Sequence, residues 1–403
     1  MRLYNTLTRR VEDIDFPTGT VTMYVCGVTP YDTSHLGHAR VGIVYDTLRR
    51  YLESQDLRVR YVQNVTDIDE PLFERARRDG IDWQALGAQQ AERYLQSMAQ
   101  INVPKPEYYV PATSCIPEML PVIARLIELE HAYPRNGAVY YRVASKEQFG
   151  ALAHTDTATL LVMANQMGNN PDDPNKLDPL DFVLWQPSAP DEPRWDSPWG
   201  PGRPGWHIEC STIATQYLGS QIDIHGGGAD LIFPHHSCEI AQTEPVTGVV
   251  PFVRCWMHTG LVSLGGTKMS KSLGNMVFVE DVLATYSPTA LRLAVLAYLY
   301  REPFEYTEQQ VVQAEQWAIG LKNALTAQTV STTDALAAQE ARAAFFAALA
   351  EDFNTPAAIG TLVDLASAIT TAVEAGRDVR AAQQTLHDMA LVLGLQIPIN
   401  DQH

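Results

Sequence analysis

The sequence predicts a parallel α/β sheet domain, divided by an insertion and followed by an α-helical bundle. Three observations carry that prediction. Val21, Met23 and Val25 alternate into Cys26-Gly27, and helical spacing (Val41, Val44, Tyr45, Leu48, Leu52) sets in from His38. Further short apolar runs, Val59 to Thr66, Gln221 to Ile224 and Phe252 to Trp256, each lead into polar or glycine-rich turns. Beyond Pro288 the chain is rich in Ala and Leu at helical period, with helices expected at about 288–300, 307–327, 334–350, 355–375 and 377–393.

The first strand hands over to its helix through Gly27 to Ser34. A helix N-terminus at such a turn offers N–H groups and a positive dipole end to phosphate. His35 and His38 flank Gly37 there and could donate to a nucleotide phosphate as charge develops. The second strand ends in Thr66-Asp67-Ile68-Asp69, polar groups at the edge where ligands gather in open α/β sheets. Asp69 is equally readable as the N-cap of a helix from Glu70 to Arg78. Residues 82–131 carry helical periodicity interrupted by Pro104 to Pro111, and Tyr140 to Val143 reads as a short strand. The loop composition of 165–176 and the Pro- and Gly-rich 187–205 mark 116–200 as an insertion. The sheet is expected to resume at Gly205 to Cys210, followed by a helix to about Leu218. The three glycines of His225-Gly226-Gly227-Gly228-Ala229-Asp230 would let a ligand lie against the backbone. Pro234 then precedes a helix start at His235. Gly265 to Asn275 is a loop bearing Lys268 and Lys271, cations suited to a polyanion such as triphosphate.

Composition sets limits. The chain has 403 residues, 46% hydrophobic and 19% charged, which is globular. A net charge of −18 argues against indiscriminate nucleic-acid binding. The bundle is poor in cations, with Arg301, Lys322, Arg342, Arg377 and Arg380 from 301 onward. No run of 18 apolar residues occurs and the N-terminus has no apolar signal core, so a cytoplasmic protein without a membrane span is expected. Five cysteines, an odd and sparse set, point to thiols or metal ligands. Cys26, Cys210, His235 and Glu239 are candidate ligands, His235 and Glu239 sharing one helix face at i, i+4. By ligand preference Cys238 could replace Glu239.

These motifs together resemble those of class I aminoacyl-tRNA synthetases. The paired signatures are His35-Leu36-Gly37-His38 and Lys268-Met269-Ser270-Lys271-Ser272. Met-Tyr-Val-Cys-Gly, Gly-Trp-His-Ile-Glu-Cys, His-Gly-Gly-Gly-Ala-Asp-Leu-Ile-Phe-Pro-His-His, Asn64 to Asp69 and Glu351 to Thr355 are similar to the cysteinyl-tRNA synthetase branch. The resemblance implies a Rossmann-type catalytic domain with a connective insertion. Its halves would be 1–115 and 201–255, the insertion 116–200, a stem-contact segment with the lysine loop 256–300, and the bundle 301–396. It implies that L-cysteine and ATP, with Mg2+, give cysteinyl-adenylate, and that the acyl group passes to tRNA(Cys). It places one Zn2+ on Cys26, Cys210, His235 and Glu239, where a soft ion selects the substrate thiol. It assigns Gly27, Thr66, Trp206 and Asp230 to cysteine, and Gly37, His38 and Lys271 to ATP. His35, His38, Lys268 and Lys271 carry the chemistry, and the chain is expected to be a monomer.

Val28-Thr29-Pro30-Tyr31 and Glu70 to Ala76 instead resemble the mycothiol-pathway ligase, which joins cysteine to the amine of a glucosaminyl-inositol, an amino sugar. The chain also stops where a typical synthetase would begin its C-terminal anticodon-binding domain. Glu239-Ile240-Ala241-Gln242 and Ile208 to Thr212 resemble the synthetase, which is the primary expectation. The intact lysine loop, loop histidines and metal positions speak against a non-catalytic paralogue.

Overall fold

The structure, a computed structural model, describes residues 1–30, 34–269, 274–328, 332 and 334–397, and of Lys268 the backbone alone. Lys271 lies outside the described residues.

Five parallel strands form the central sheet. In spatial order they are Val253–Thr259, Ile222–Gly228, Thr20–Val28, Arg58–Val65 and Tyr108–Pro111. The chain starts in the middle, runs to one edge, leaves for the insertion and returns to the other side. The order therefore reverses between Thr20–Val28 and Ile222–Gly228, and a crevice opens beyond their carboxyl ends. The two strands are mostly buried, as parallel strands covered on both faces are.

Three expectations change. The helical stretch of residues 82–131 contains the edge strand Tyr108–Pro111 between helices Trp83–Gln100 and Ile116–Glu128. Its proline sits at the last paired residue of an edge, where a missing N–H costs least. The strand expected at Gly205 to Cys210 is instead the start of one helix, Trp206–Leu218. Ile208 to Ala214 are all buried, so no polar face marks its period. The glycines after Ile224 continue the strand to Gly228. A Cβ on Gly226 would lie 1.8 Å from the Tyr45 hydroxyl and 2.3 Å from the Met257 carbonyl oxygen. The protein's own packing requires that glycine, not a ligand.

A four-stranded antiparallel sheet, Ala132–Arg135, Ala138–Tyr141, Phe182–Pro187 and Gly202–Pro204, is built from the insertion and the residues just after it. A smaller sheet joins Val262–Leu264 to Thr267–Lys268 and Phe304–Glu305. The helices Pro288–Leu296, Glu308–Thr326, Gln339–Ala350, Thr355–Glu374 and Arg380–Val392 make the bundle. Thr355–Glu374 is apolar and long enough to cross a membrane by composition alone, but Leu362, Leu365 and Ile369 lie in the bundle core.

One buried cation joins bundle and sheet. Arg292 places Nη2 2.8 Å from Asp46 Oδ2 and 3.0 Å from Thr47 Oγ1, on the helix Leu36–Glu53. Its Nη1 donates to the Ile101 and Asn102 carbonyls, and its Nε to that of Leu393. Both Arg292 and Asp46 are buried, so removing Arg292 strips Asp46 of its buried partner, leaving it Arg50 Nε at 2.9 Å, and frees the three carbonyls that Arg292 holds. Arg292→Ala is expected to lower unfolding free energy by about 3 kcal/mol, read by denaturant titration. A loss below about 0.5 kcal/mol, the size of an ordinary surface effect, would contradict this linkage.

Candidate active site

Four ligand-type side chains converge at the switch point. The donor atoms of Cys26, Cys210, His235 and Glu239 all lie within 4.8 Å of one another, and all four residues are buried. Cys26 arrives on the central strand, Cys210 from the second turn of Trp206–Leu218. His235 belongs to the tight turn Ile232–His236, and Glu239 to the first turn of Ser237–Thr247. The two sulfurs are 3.8 Å apart, Cys26 Sγ is 3.6 Å from Glu239 Oε1, and His235 Nε2 is 3.3 Å from the same oxygen.

The surroundings prepare these atoms. His207 Nδ1 lies 2.9 Å from His235 Nδ1, so that contact occupies one ring nitrogen and leaves Nε2 toward the cluster. Trp206 stacks on the His235 ring at 4.3 Å. His225 Nε2, 2.8 Å from Glu239 Oε2, holds the far carboxylate oxygen and turns Oε1 inward. Burial pushes the Cys26 thiol well up, with Cys210 and Glu239 adding to it, and raises Cys210 too. Burial holds His235 well below its ordinary value, with His207 and His225 contributing, so its imidazole stays neutral. Two thiols, a neutral imidazole and a carboxylate brought this close together are a donor set that suits a divalent ion. Two sulfurs and one imidazole suit zinc.

Sequence reasoning missed the second ring of histidines. Cys26, His225, His236 and Glu239 form an overlapping group of the same size. His236 Nε2 is 3.2 Å from Cys26 Sγ, its Nδ1 is 2.7 Å from His258 Nε2, and His258 Nδ1 is 2.8 Å from Thr6 Oγ1. Only the doubled His-His after Pro234 hinted at it. Cys238, left open as a ligand by the sequence, belongs to neither group and packs in the core around Trp256. Glu239→Gln is expected to weaken metal retention about 10- to 100-fold while Cys238→Ser retains it, measured as metal content after dialysis against chelator. The reverse result would move the fourth ligand to sulfur.

Beside the cluster lies a cleft of about 370 Å3, to which Cys26, Gly27, His35, Gly37, His38 and Asp230 contribute. Cys26 thus belongs to both. Gly27 is required, because a Cβ there would meet the Asn64 carbonyl oxygen at 1.7 Å. His35 caps Leu36–Glu53, its Nδ1 accepting from the Gly37 N–H at 3.1 Å, so a neutral ring carries its proton on Nε2. The His38 ring stacks on it at 3.8 Å. Thr66 is buried, its hydroxyl accepting from Asn64 Nδ2 at 3.0 Å, and does not line this cleft; neither does Trp206. Asp69 is the N-cap of Glu70–Asp79, and Thr29 donates to its carboxylate. Lys268 follows Thr267 on the hairpin strand, one residue before Met269 in the cleft wall.

Comparison with known proteins adds the following. Residues 14–316 match the family described as tRNA synthetases class I (C) catalytic domain, and residues 344–397 match the DALR domain. A cysteine--tRNA ligase of Dehalococcoides mccartyi is 42% identical over 99% of this chain and 87% of its own. An L-cysteine:1D-myo-inositol 2-amino-2-deoxy-alpha-D-glucopyranoside ligase of Corynebacterium kroppenstedtii is 43% identical over 92% of this chain and 72% of its own. Among solved structures, Mycobacterium tuberculosis methionyl-tRNA synthetase in complex with methionyl-adenylate is similar at a TM-score of 0.62. It shares 15% identity over 93% of this chain and 89% of that one, a likeness of fold.

Proposed function

The chain belongs to the class I tRNA synthetase (C) family, an enzyme family of ligases, and on that premise we propose that it activates L-cysteine with ATP and transfers it to an acceptor. The observation that carries this reading is the convergence of Cys26, Cys210, His235 and Glu239 beside the histidine-lined cleft. Zinc, when bound by those four residues, supplies a soft site for the substrate thiol, which serine cannot match.

The chain's own groups do the rest. Asp230 and the Gly27 backbone, which line the cleft, orient the amino acid, and Trp206 supports the site from behind by stacking on the His235 ring. Its carboxylate oxygen attacks the ATP α-phosphorus and pyrophosphate leaves, forming cysteinyl-adenylate. ATP enters with Mg2+. His35 and His38 donate to the phosphate oxygens as charge builds, from the N-terminus of Leu36–Glu53. Lys268 and Lys271 hold the departing pyrophosphate. The acceptor nucleophile then attacks the acyl carbon and AMP leaves.

The acceptor proposed first is tRNA(Cys), as for the Dehalococcoides relative named above. A second reading, a small amino-sugar amine, is favoured by the bundle's electrostatics. Arg301 pairs with Asp352 at 2.9 Å, Arg377 with Asp334 at 3.1 Å and Arg380 with Asp378 at 2.5 Å, so these cations are already committed. An RNA backbone would have to displace those partners. Purified protein given cysteine and ATP, with tRNA in one tube and glucosaminyl-inositol in the other, is expected to form cysteinyl-tRNA. Product with the amino sugar alone would overturn the first acceptor, and absence of cysteine-dependent pyrophosphate exchange would overturn the activation reading.

A further inference from the structure

We propose that Arg40 is a positioning residue that sets the lysine-bearing hairpin against the histidine loop, and so aligns ATP. The inference rests on the activation reading above. Arg40 follows His38 by two residues in the helix Leu36–Glu53. At 1% exposure it is among the largest fully buried side chains. Its Nη2 donates to the carbonyls of Leu299 at 3.2 Å and Tyr300 at 3.1 Å, and to that of Glu302. Its guanidinium lies 5.0 Å from the Phe304 ring centroid.

That grip falls at the root of the hairpin. The Tyr300 carbonyl also accepts the Gly260 N–H at 2.8 Å, and the Phe304 N–H donates to the Leu261 carbonyl at 3.0 Å. Gly260 packs so closely that a Cβ would lie 2.1 Å from the Glu302 carbonyl oxygen. Phe304–Glu305 pairs with Val262–Leu264, which pairs in turn with Thr267–Lys268. Gly260, Leu261, Val262 and Met269 wall the cleft that His35 and His38 also line. The far side of the lysine loop meets the histidine loop through backbone hydrogen bonds. There Leu36 N–H donates to the Val277 carbonyl and Val279 N–H to that of Ser34, both at 2.9 Å. Arg40 is therefore the side-chain part of a two-sided clasp, and the part that can be changed.

Stability alone is a poor explanation for this guanidinium. Its Nε and Nη1 are buried and make no hydrogen bond among the described residues. A half-satisfied buried cation costs free energy that an apolar side chain of similar length would not. Methionine, unbranched and apolar though shorter than arginine, fills irregular gaps and suits the Phe304 ring.

Arg40→Met is expected to keep the thermal midpoint at or above wild type. Its cysteine-dependent ATP–pyrophosphate exchange should fall in kcat and rise in KM for ATP, each about tenfold, because misplaced reacting groups cost rate without costing fold. The KM for cysteine and the metal content should stay within about twofold, and Arg40→Lys should recover part of the loss through one retained donor. Independently of activity, backbone amide exchange of the 262–269 hairpin should quicken in Arg40→Met while that of Thr20–Val28 does not. Unchanged kcat, ATP KM and hairpin exchange would overturn the proposal. So would a parallel loss of stability, cysteine KM and metal, which marks a merely structural residue. A wild-type protein with no exchange activity would instead overturn the activation reading, and the hairpin amides would still decide the role of Arg40.

Discussion

Cys210→Ser is expected to remove cysteine-dependent ATP–pyrophosphate exchange, with kcat/KM for cysteine falling at least about 10³-fold. The thiol is 1% exposed and its sulfur is 3.8 Å from that of Cys26. A hydroxyl there is nearly isosteric, so the fold should hold, and the thermal midpoint should fall only by what the lost metal contributed. What changes is the chemistry of the donor set: one of two soft atoms becomes hard, and zinc-type retention falls with it. His235 and Glu239 stay oriented by His207 and His225, so the defect is local to sulfur. Metal content and exchange should therefore be lost together. Full exchange in this variant would detach thiol selection from the cluster.

His38→Asn should act on a different quantity. Its ring lies against His35, whose Nδ1 is already engaged as the cap of the helix. Removing a donor aimed at charge that appears only in the transition state typically costs kcat about 10²–10³-fold, or about 2.7–4 kcal/mol. The KM for cysteine should stay near wild type, because the thiol site is built from other residues. A variant that loses cysteine affinity in proportion to kcat would show that His38 supports the pocket instead of the reaction. The two substitutions thus separate selection from activation.

The central strand and the bundle helices were legible because they are long enough to show their period. Val21, Met23 and Val25 alternate, and the bundle helices repeat Ala and Leu on one face. Trp206–Leu218 was misread at its start, since a helix buried on every side carries no amphipathic signature. Tyr108–Pro111 was missed because a short edge strand with a proline looks like a loop. The candidate ligands could be named from residue type and spacing. The ring of His207, His225, His236 and His258 could not, because their roles come from contacts between elements distant in sequence. Cys238 illustrates the same limit from the other side. Residue type favoured it as a ligand, but helix rotation turns it one position away, into the core.

Arg292 clasps the first helix of the sheet, the Ile101–Asn102 turn and the Leu393 carbonyl at once. Bundle and sheet are consequently tied together at depth, through the same hydrophobic cluster that joins them. An acceptor therefore has to reach a cleft whose scaffold and bundle share one packed core.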